Sequence, residues 1–285
     1  MKAEIYRRKA KHVSGGLIYL LTLTTLCIYF ETGVAEPIAI VNPGFEADPA
    51  PVPSDITAGL PNGWSAHNPN STPGVFYGSL YAAPDNYPAG APEGDHVQVN
   101  FISANRPANE EFGVFQTLSE PLQADTFYTI TVEVGNIASG INDLNGTPDN
   151  PNDDSFFDIA GFNGYRVELR TDSIAGSGAT LMADTLSVGD ADPIPDGEFR
   201  TISFTFDSRD AANNLIGEML EILLVNLNQI DPAHPGSDRE TNFDNVRLDS
   251  SPVVNTATQV PIPPAALLLL GFCVASVGTS FKKTI

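Results

Sequence analysis

The residues of this chain best equipped for chemistry are carboxylates and aromatics, and neither set falls into a known catalytic spacing. His67, His96 and His234 lie in three different stretches. Neither Gly-x-Ser-x-Gly nor His-Glu-x-x-His occurs, so the signatures of an activated serine and a helix-borne zinc are missing. Glu110 and Glu111 adjoin Asn109 in a polar stretch and read as solvated. A carboxylate pair at glycosidase separation is not something a sequence displays. The expectation is a domain without catalysis, a hydrolase being the least favoured reading.

Binding chemistry has more to work with. Trp64, Phe76, Tyr77, Tyr81 and Tyr87 crowd the stretch before Val97, among Asn68, Asn70, Asp85 and Asn86. Exposed aromatic faces stack on sugar rings, and amides take the hydroxyls. Tyr77, Tyr81, Tyr87 and Asn68 are therefore the expected ligand site. The competing reading puts Trp64 and Phe76 in the core, with the tyrosines merely covering it; for a lone tryptophan burial is the favoured outcome. Residues 141–158 hold Asp143, Asp149, Asp153, Asp154 and Asp158 without the EF-hand spacing, and read as an acidic surface loop rather than a calcium loop.

Charge narrows the partners. The chain has 14 basic and 35 acidic residues, a formal net charge of −21. Its lysines all lie before residue 13 or at Lys282 and Lys283. The long middle carries only arginine as its cation. So acidic a surface argues against nucleic acid and is compatible with divalent cations or with simple solubility. Cys27 and Cys273 both fall outside residues 36–259, so no disulfide restrains that segment.

The elements that must position these residues read as strands. Runs rich in β-branched and aromatic residues fall near 38–41, 75–80, 97–102, 114–118, 128–134, 156–159, 165–170, 180–187, 200–206, 220–226 and 242–248, between Gly/Pro/Asn/Asp clusters. Tyr128, Ile130, Val132 and Val134 alternate with Thr129, Thr131 and Glu133, the pattern of a strand with one buried face. The segment 211–224 fits a helix, but its second half fits a core strand equally well and is assigned as strand. The fold class expected is all-β, a two-sheet jelly-roll sandwich over residues 36–250.

The two ends differ from this. Lys2, Arg7, Arg8, Lys9 and Lys11 precede an apolar run, and Gly33-Val34-Ala35 offers small residues for cleavage. This order is that of a signal peptide over residues 1–35, cut after Ala35 by signal peptidase; an uncleaved anchor is the alternative. Residues 251–259 form a linker. Val260, Pro261 and Pro263 then open an apolar run over 265–281 that Lys282 and Lys283 close. Its length and uniform apolarity favour a C-terminal transmembrane helix over a core helix.

Residues 260–285 resemble the PEP-CTERM sorting signal, with Pro261-Ile262-Pro263 lacking the central acid. The resemblance implies an exosortase-type membrane protease as partner, transient residence in the inner membrane, and delivery to the cell surface or extracellular matrix. A second resemblance rests on Asn42-Pro43-Gly44-Phe45-Glu46, on Pro61-Asn62-Gly63-Trp64, on the strands at 115–118 and 126–132, and on Asn242-Phe243-Asp244-Asn245-Val246. Together these are similar to galactose-binding-like, carbohydrate-binding jelly rolls. That likeness implies a structural calcium held by Glu46 and Asp244 where first and last strands meet. It also implies a non-catalytic domain binding glycan or exopolysaccharide in a biofilm matrix. The alternative is a structural or adhesion protein with no sugar site.

Overall fold

In the computed structural model the described residues are 34–48, 56–142, 155–172 and 178–254. In chain order the strands are β1 (Glu36–Pro37), β2 (Ile56–Ala58), β3 (Ser65–His67), β4 (Val75–Tyr81), β5 (His96–Ile102), β6 (Phe112–Pro121), β7 (Thr126–Asn136), β8 (Gly140–Asn142), β9 (Ser155–Phe157), β10 (Tyr165–Asp172), β11 (Thr180–Leu186), β12 (Glu198–Asp207), β13 (Met219–Asn226) and β14 (Arg239–Pro252). A seven-stranded sheet runs β12-β7-β14-β5-β4-β2, with β1 also on β14. A five-stranded sheet runs β11-β10-β13-β6-β3, and β8 pairs with β9 as a separate ribbon.

Period-2 patterning builds the sandwich between the two larger sheets. Tyr128, Ile130, Val132 and Val134 of β7 are all buried, and they pack with Val114 of β6, Val167 and Leu169 of β10, and Ile222 and Leu224 of β13. The alternate residues of β7 face outward and meet polar partners on β12. Thr129 bonds Thr205 (2.8 Å), Thr131 bonds Ser203 (3.1 Å), and Thr201 donates to Glu133 (2.9 Å). Such cross-strand pairs hold register on a solvated face. Trp64 is buried against Phe45, ring centroids 5.3 Å apart, as a lone tryptophan is expected to be.

The sheets follow the sequence pattern with two departures. The expected strand at 38–41 leaves the sheet after one bond, Ile38 N–H to the Leu248 carbonyl. Beyond it, the Gln116 side-chain amide takes the place of a strand partner, accepting from Val41 N–H (2.7 Å) and donating to the Val41 carbonyl (2.9 Å). Segment 211–224 ends in strand β13, as assigned, after a 3₁₀ turn at Asn213–Leu215. The short strands β2, β3 and β8, three residues each, lack enough length to show a period. Among the described residues no helix is long and apolar enough to cross a membrane. The segments read as signal peptide and membrane helix lie outside the described residues, apart from Val34 and Ala35.

One buried cation pins the loop after β5. Arg239 is 2% exposed. Its guanidinium donates to Asn228 Oδ1 (2.6 Å) and to the main-chain carbonyl of Arg106 (2.9 Å), with the Ser103, Ala104 and Pro107 carbonyls at 3.4–3.5 Å. An arginine fork suits such a cluster of acceptors. Arg239→Met should cost about 3 kcal/mol, because buried acceptors lose their donor. Urea unfolding of the variant checks this; an unchanged midpoint would contradict it.

Candidate active site

The outer face of the seven-stranded sheet is not uniform. Over β12 and β7 it carries the threonine, serine and glutamate pairs just described. Over β5, β4 and β2 it is apolar, and β14 brings Glu240 and Asn242 to it. Register places Phe76, Phe101 and Glu240 in one row across β4, β5 and β14. The next row holds Ala58, Gly78, Val99, Asn242, Gly135 and Phe199. Ile56, Leu80 and Val97 form a third. Phe157 and Ile159, at and just after β9, pack onto this face, and with Leu80, Val97 and Val99 they make a second apolar cluster outside the sandwich core.

These residues form a half-open cavity of about 390 Å³, lined by Phe76, Leu80, Phe101, Phe157, Ile159, Ile56, Ala58 and Glu240. That is the scale of a small-molecule site. Phe76 and Phe101 meet edge to face with centroids 6.3 Å apart. Gly78 keeps the floor low, since a Cβ there would strike the Thr57 carbonyl and the Phe76 ring.

Among the described residues that line the cavity, Glu240 is the one ionisable group. It is 5% exposed. Burial pushes its carboxyl up to about 7, against the downward pull of a hydrogen bond from Asn242 and with a further upward push from Asp238. Asn242 Nδ2 donates to Glu240 Oε1 (2.8 Å), and Asn242 Oδ1 accepts from the Tyr87 hydroxyl (2.6 Å). Such a group can give and take a proton near neutral pH. Glu111 on the outer side of the five-stranded sheet shows the opposite case. His67 and Arg166 hold its carboxyl down at about 2, with Arg166 Nη1 at 2.7 Å. Paired in this way, Glu111 does structural work.

The residues expected to bind sugar do not assemble. Tyr77 points into the sandwich, where it meets Phe112 edge-on and donates to the His67 carbonyl (3.2 Å). Tyr81 lies at the exposed end of β4 against His96. Tyr87 is fully buried. Asn68 clips its own turn, accepting from Thr72 N–H (2.8 Å) and donating to the Thr72 carbonyl (3.0 Å). No aromatic platform results, because alternation along β4 turns Tyr77 inward.

Glu46 and Asp244 do approach one another. Asp244 is fully buried; desolvation first, then Glu93 and Glu46, raise its pKa to about 8, against hydrogen bonds from the Glu93 and Asn245 N–H groups. Glu46 accepts from His96 N–H (2.7 Å) and lies 2.9 Å from His96 Nδ1. Among the described residues no group of three or more His, Cys, Asp or Glu is arranged as a ready metal site.

Comparison with known proteins gives the cavity its context. The HpiC1-like family, described as HpiC1 cyclase, matches residues 36–249. The chain belongs to the HpiC1-like cyclase family. A cyclase from Fischerella sp. in its apo form is 27% identical, covers 78% of this chain and 98% of its own, and superposes with a TM-score of 0.57. A Stig cyclase from Fischerella sp. TAU, in complex with (3Z)-3-(1-methyl-2-pyrrolidinylidene)-3H-indole, is 29% identical, with 78% and 100% coverage and a TM-score of 0.58. A cyclase from the same source, in complex with 4-(1H-indol-3-yl)butan-2-one, gives the same figures. No curated protein sequence matches the chain.

Membership in this cyclase family overturns the expectation of a non-catalytic glycan-binding or matrix domain. It also replaces both family resemblances drawn from the sequence, the carbohydrate-binding one and the sorting-tail one. Residues 260–285, which carried the latter, lie beyond the match and outside the described residues. Sequence reasoning had the strand at 242–248 but not its start at Arg239, and so not Glu240. The available signal was Glu240, Asn242 and Asp244 alternating on a face whose neighbours, Val97, Val99 and Phe101, are all apolar.

The buried acid has a thermodynamic signature. Its folded pKa of about 7 exceeds the unfolded value of about 4.3. The native state therefore holds the proton more tightly, and this contribution to stability is full below about pH 4.3 and lost as pH rises through about 7. Glu240→Gln, which cannot ionise, should gain on the wild type between pH 5 and 8 by on the order of 3 kcal/mol. Denaturation midpoints across that range test this; a constant difference would contradict it.

Proposed function

We propose that this protein is a cyclase that uses Glu240 to protonate, and then deprotonate, an apolar indole-bearing substrate held on the outer face of the seven-stranded sheet. The observation carrying this reading is a carboxyl at about pKa 7 among phenylalanines, in a chain of a cyclase family with indole-bound relatives.

The chemistry follows from the lining. Neutral Glu240 passes its proton to a π-bonded carbon of the substrate; a C–H bond forms as the O–H bond breaks, leaving a carbocation and a carboxylate. The rings of Phe76, Phe101 and Phe157 offer electron-rich faces to that cation and keep water from it. An internal π bond attacks the cation and closes the ring. The carboxylate then removes a proton and restores the π system. The net change is an isomerisation, with no oxidant or reductant consumed. Glu240→Gln should lower turnover by at least about 10²-fold, the usual share of one general acid, while binding of 4-(1H-indol-3-yl)butan-2-one survives. Product analysis and calorimetry check the two halves. Full turnover in the variant would refute the assignment.

We further propose that Asp244, Glu46 and Glu93 take a structural calcium ion. The fit rests on Glu93 and Glu46, whose charges both act on buried Asp244. Two glycines frame the position: a Cβ at Gly44 would overlap the Glu93 carboxylate, and one at Gly94 that of Glu46. Oxygen donors of this kind suit calcium. Bound there, the ion would neutralise the cluster and tie the segment before β5 to β14. EDTA should lower the Tm by several degrees and added calcium restore it, as ligand linkage requires; indifference to both would contradict the site. The basic and apolar order of residues 1–35 further supports export of the domain.

A further inference from the structure

Behind Glu240, and out of contact with the substrate space, lies a pair of residues whose hydrogen bonds leave little freedom. Asn242 Nδ2 donates to the Gln98 carbonyl (3.0 Å) as well as to Glu240 Oε1 (2.8 Å). A main-chain carbonyl only accepts, so this bond fixes which end of the amide is Nδ2. Asn242 Oδ1 must then face the Tyr87 hydroxyl (2.6 Å), which donates to it. Tyr87 keeps its proton, since burial first, then Glu240 and Asp244, raise its pKa far above the usual value. Its ring stacks on Phe199 at 4.4 Å. That approach needs Gly135, where a Cβ would crowd both the Phe199 ring and the Tyr87 hydroxyl.

An oxygen that accepts from Asn242 cannot also carry the acid proton toward it. We propose that Tyr87 and Asn242 are positioning residues, which hold Glu240 Oε1 as an acceptor and so confine the transferable proton to Oε2. This rests on the cyclase reading above. Other titratable groups around Glu240 are Asp238, just before β14, and Asp244, which acts on Tyr87. Among the described residues, β4, β5 and Phe157 of β9 turn apolar side chains to the cavity.

The test uses the full chain with [δ-¹³C]glutamate, the Glu240 resonance being assigned by its loss in Glu240→Gln. Tyr87→Phe removes the donor to Asn242 Oδ1 and loosens the amide's hold on Glu240 Oε1, so the Glu240 titration should move upward from about 7. In the same variant kcat should fall about 10-fold, the weight of one hydrogen bond to the reacting acid, with KM within about twofold. Phe199→Leu loosens the packing of Tyr87 but keeps its hydroxyl, and should leave the titration in place. If Tyr87→Phe does not fold, Asn242→Ser is read in the same way. An unmoved titration in Tyr87→Phe, or an equal shift in Phe199→Leu, overturns the positioning role. A shifted titration in a protein whose native form turns over no indole substrate supports the positioning role and counts against the cyclase reading alone.

Discussion

A carboxylic acid sealed among aromatic rings without a cation cannot keep its ordinary pKa. Desolvation penalises the carboxylate and leaves the acid form in place near neutrality. Glu240 is under that constraint, and the rest of the site follows from it. Phe76 and Phe101 share its row, Phe157 covers it, and Asn242 gives it a neutral donor where a cation would have discharged it. Glu111 shows what a cation does. Beside Arg166 and His67 its carboxyl falls to about 2 and has no proton to give at pH 7.

The fold meets this demand by making one sheet serve two interiors. β5 shows it most plainly. Val97, Val99 and Phe101 face the outer cluster, while Gln98, Asn100 and Ile102 face the sandwich, and all but Phe101 are fully buried. A strand with both sides covered needs something packed on its outer face. Here the segment bearing Tyr87 and the β9 strand supply it. The polar network of β12 and β7 keeps the other end of the same face wet, so the cavity has a defined edge.

The sheets were largely legible in the sequence, because alternation such as Tyr128, Ile130, Val132 and Val134 is a local signal. Lone Trp64 was correctly read as core for a reason that needs no neighbours. The site was not legible for the opposite reason. Glu240 becomes a buried acid among aromatic rings only when register brings β14 beside Phe101 and Phe76, residues far apart in the chain. Tyr77, Tyr81 and Tyr87 drew attention as aromatics close in sequence, yet they point to three different surroundings. Glu46 acts on Asp244 electrostatically, because the segment after β1 runs beside β14, where Val246 N–H bonds the Pro43 carbonyl. The non-catalytic reading failed because no motif marks a single buried carboxyl.

The most direct measurement is a crystal structure of the protein with 4-(1H-indol-3-yl)butan-2-one, compared with the ligand-free protein. The account predicts density for the indole between Phe76, Phe101 and Phe157, with a ligand atom within hydrogen-bond distance of Glu240. Ligand bound elsewhere on the sandwich, with this cavity empty and Glu240 untouched, would contradict it.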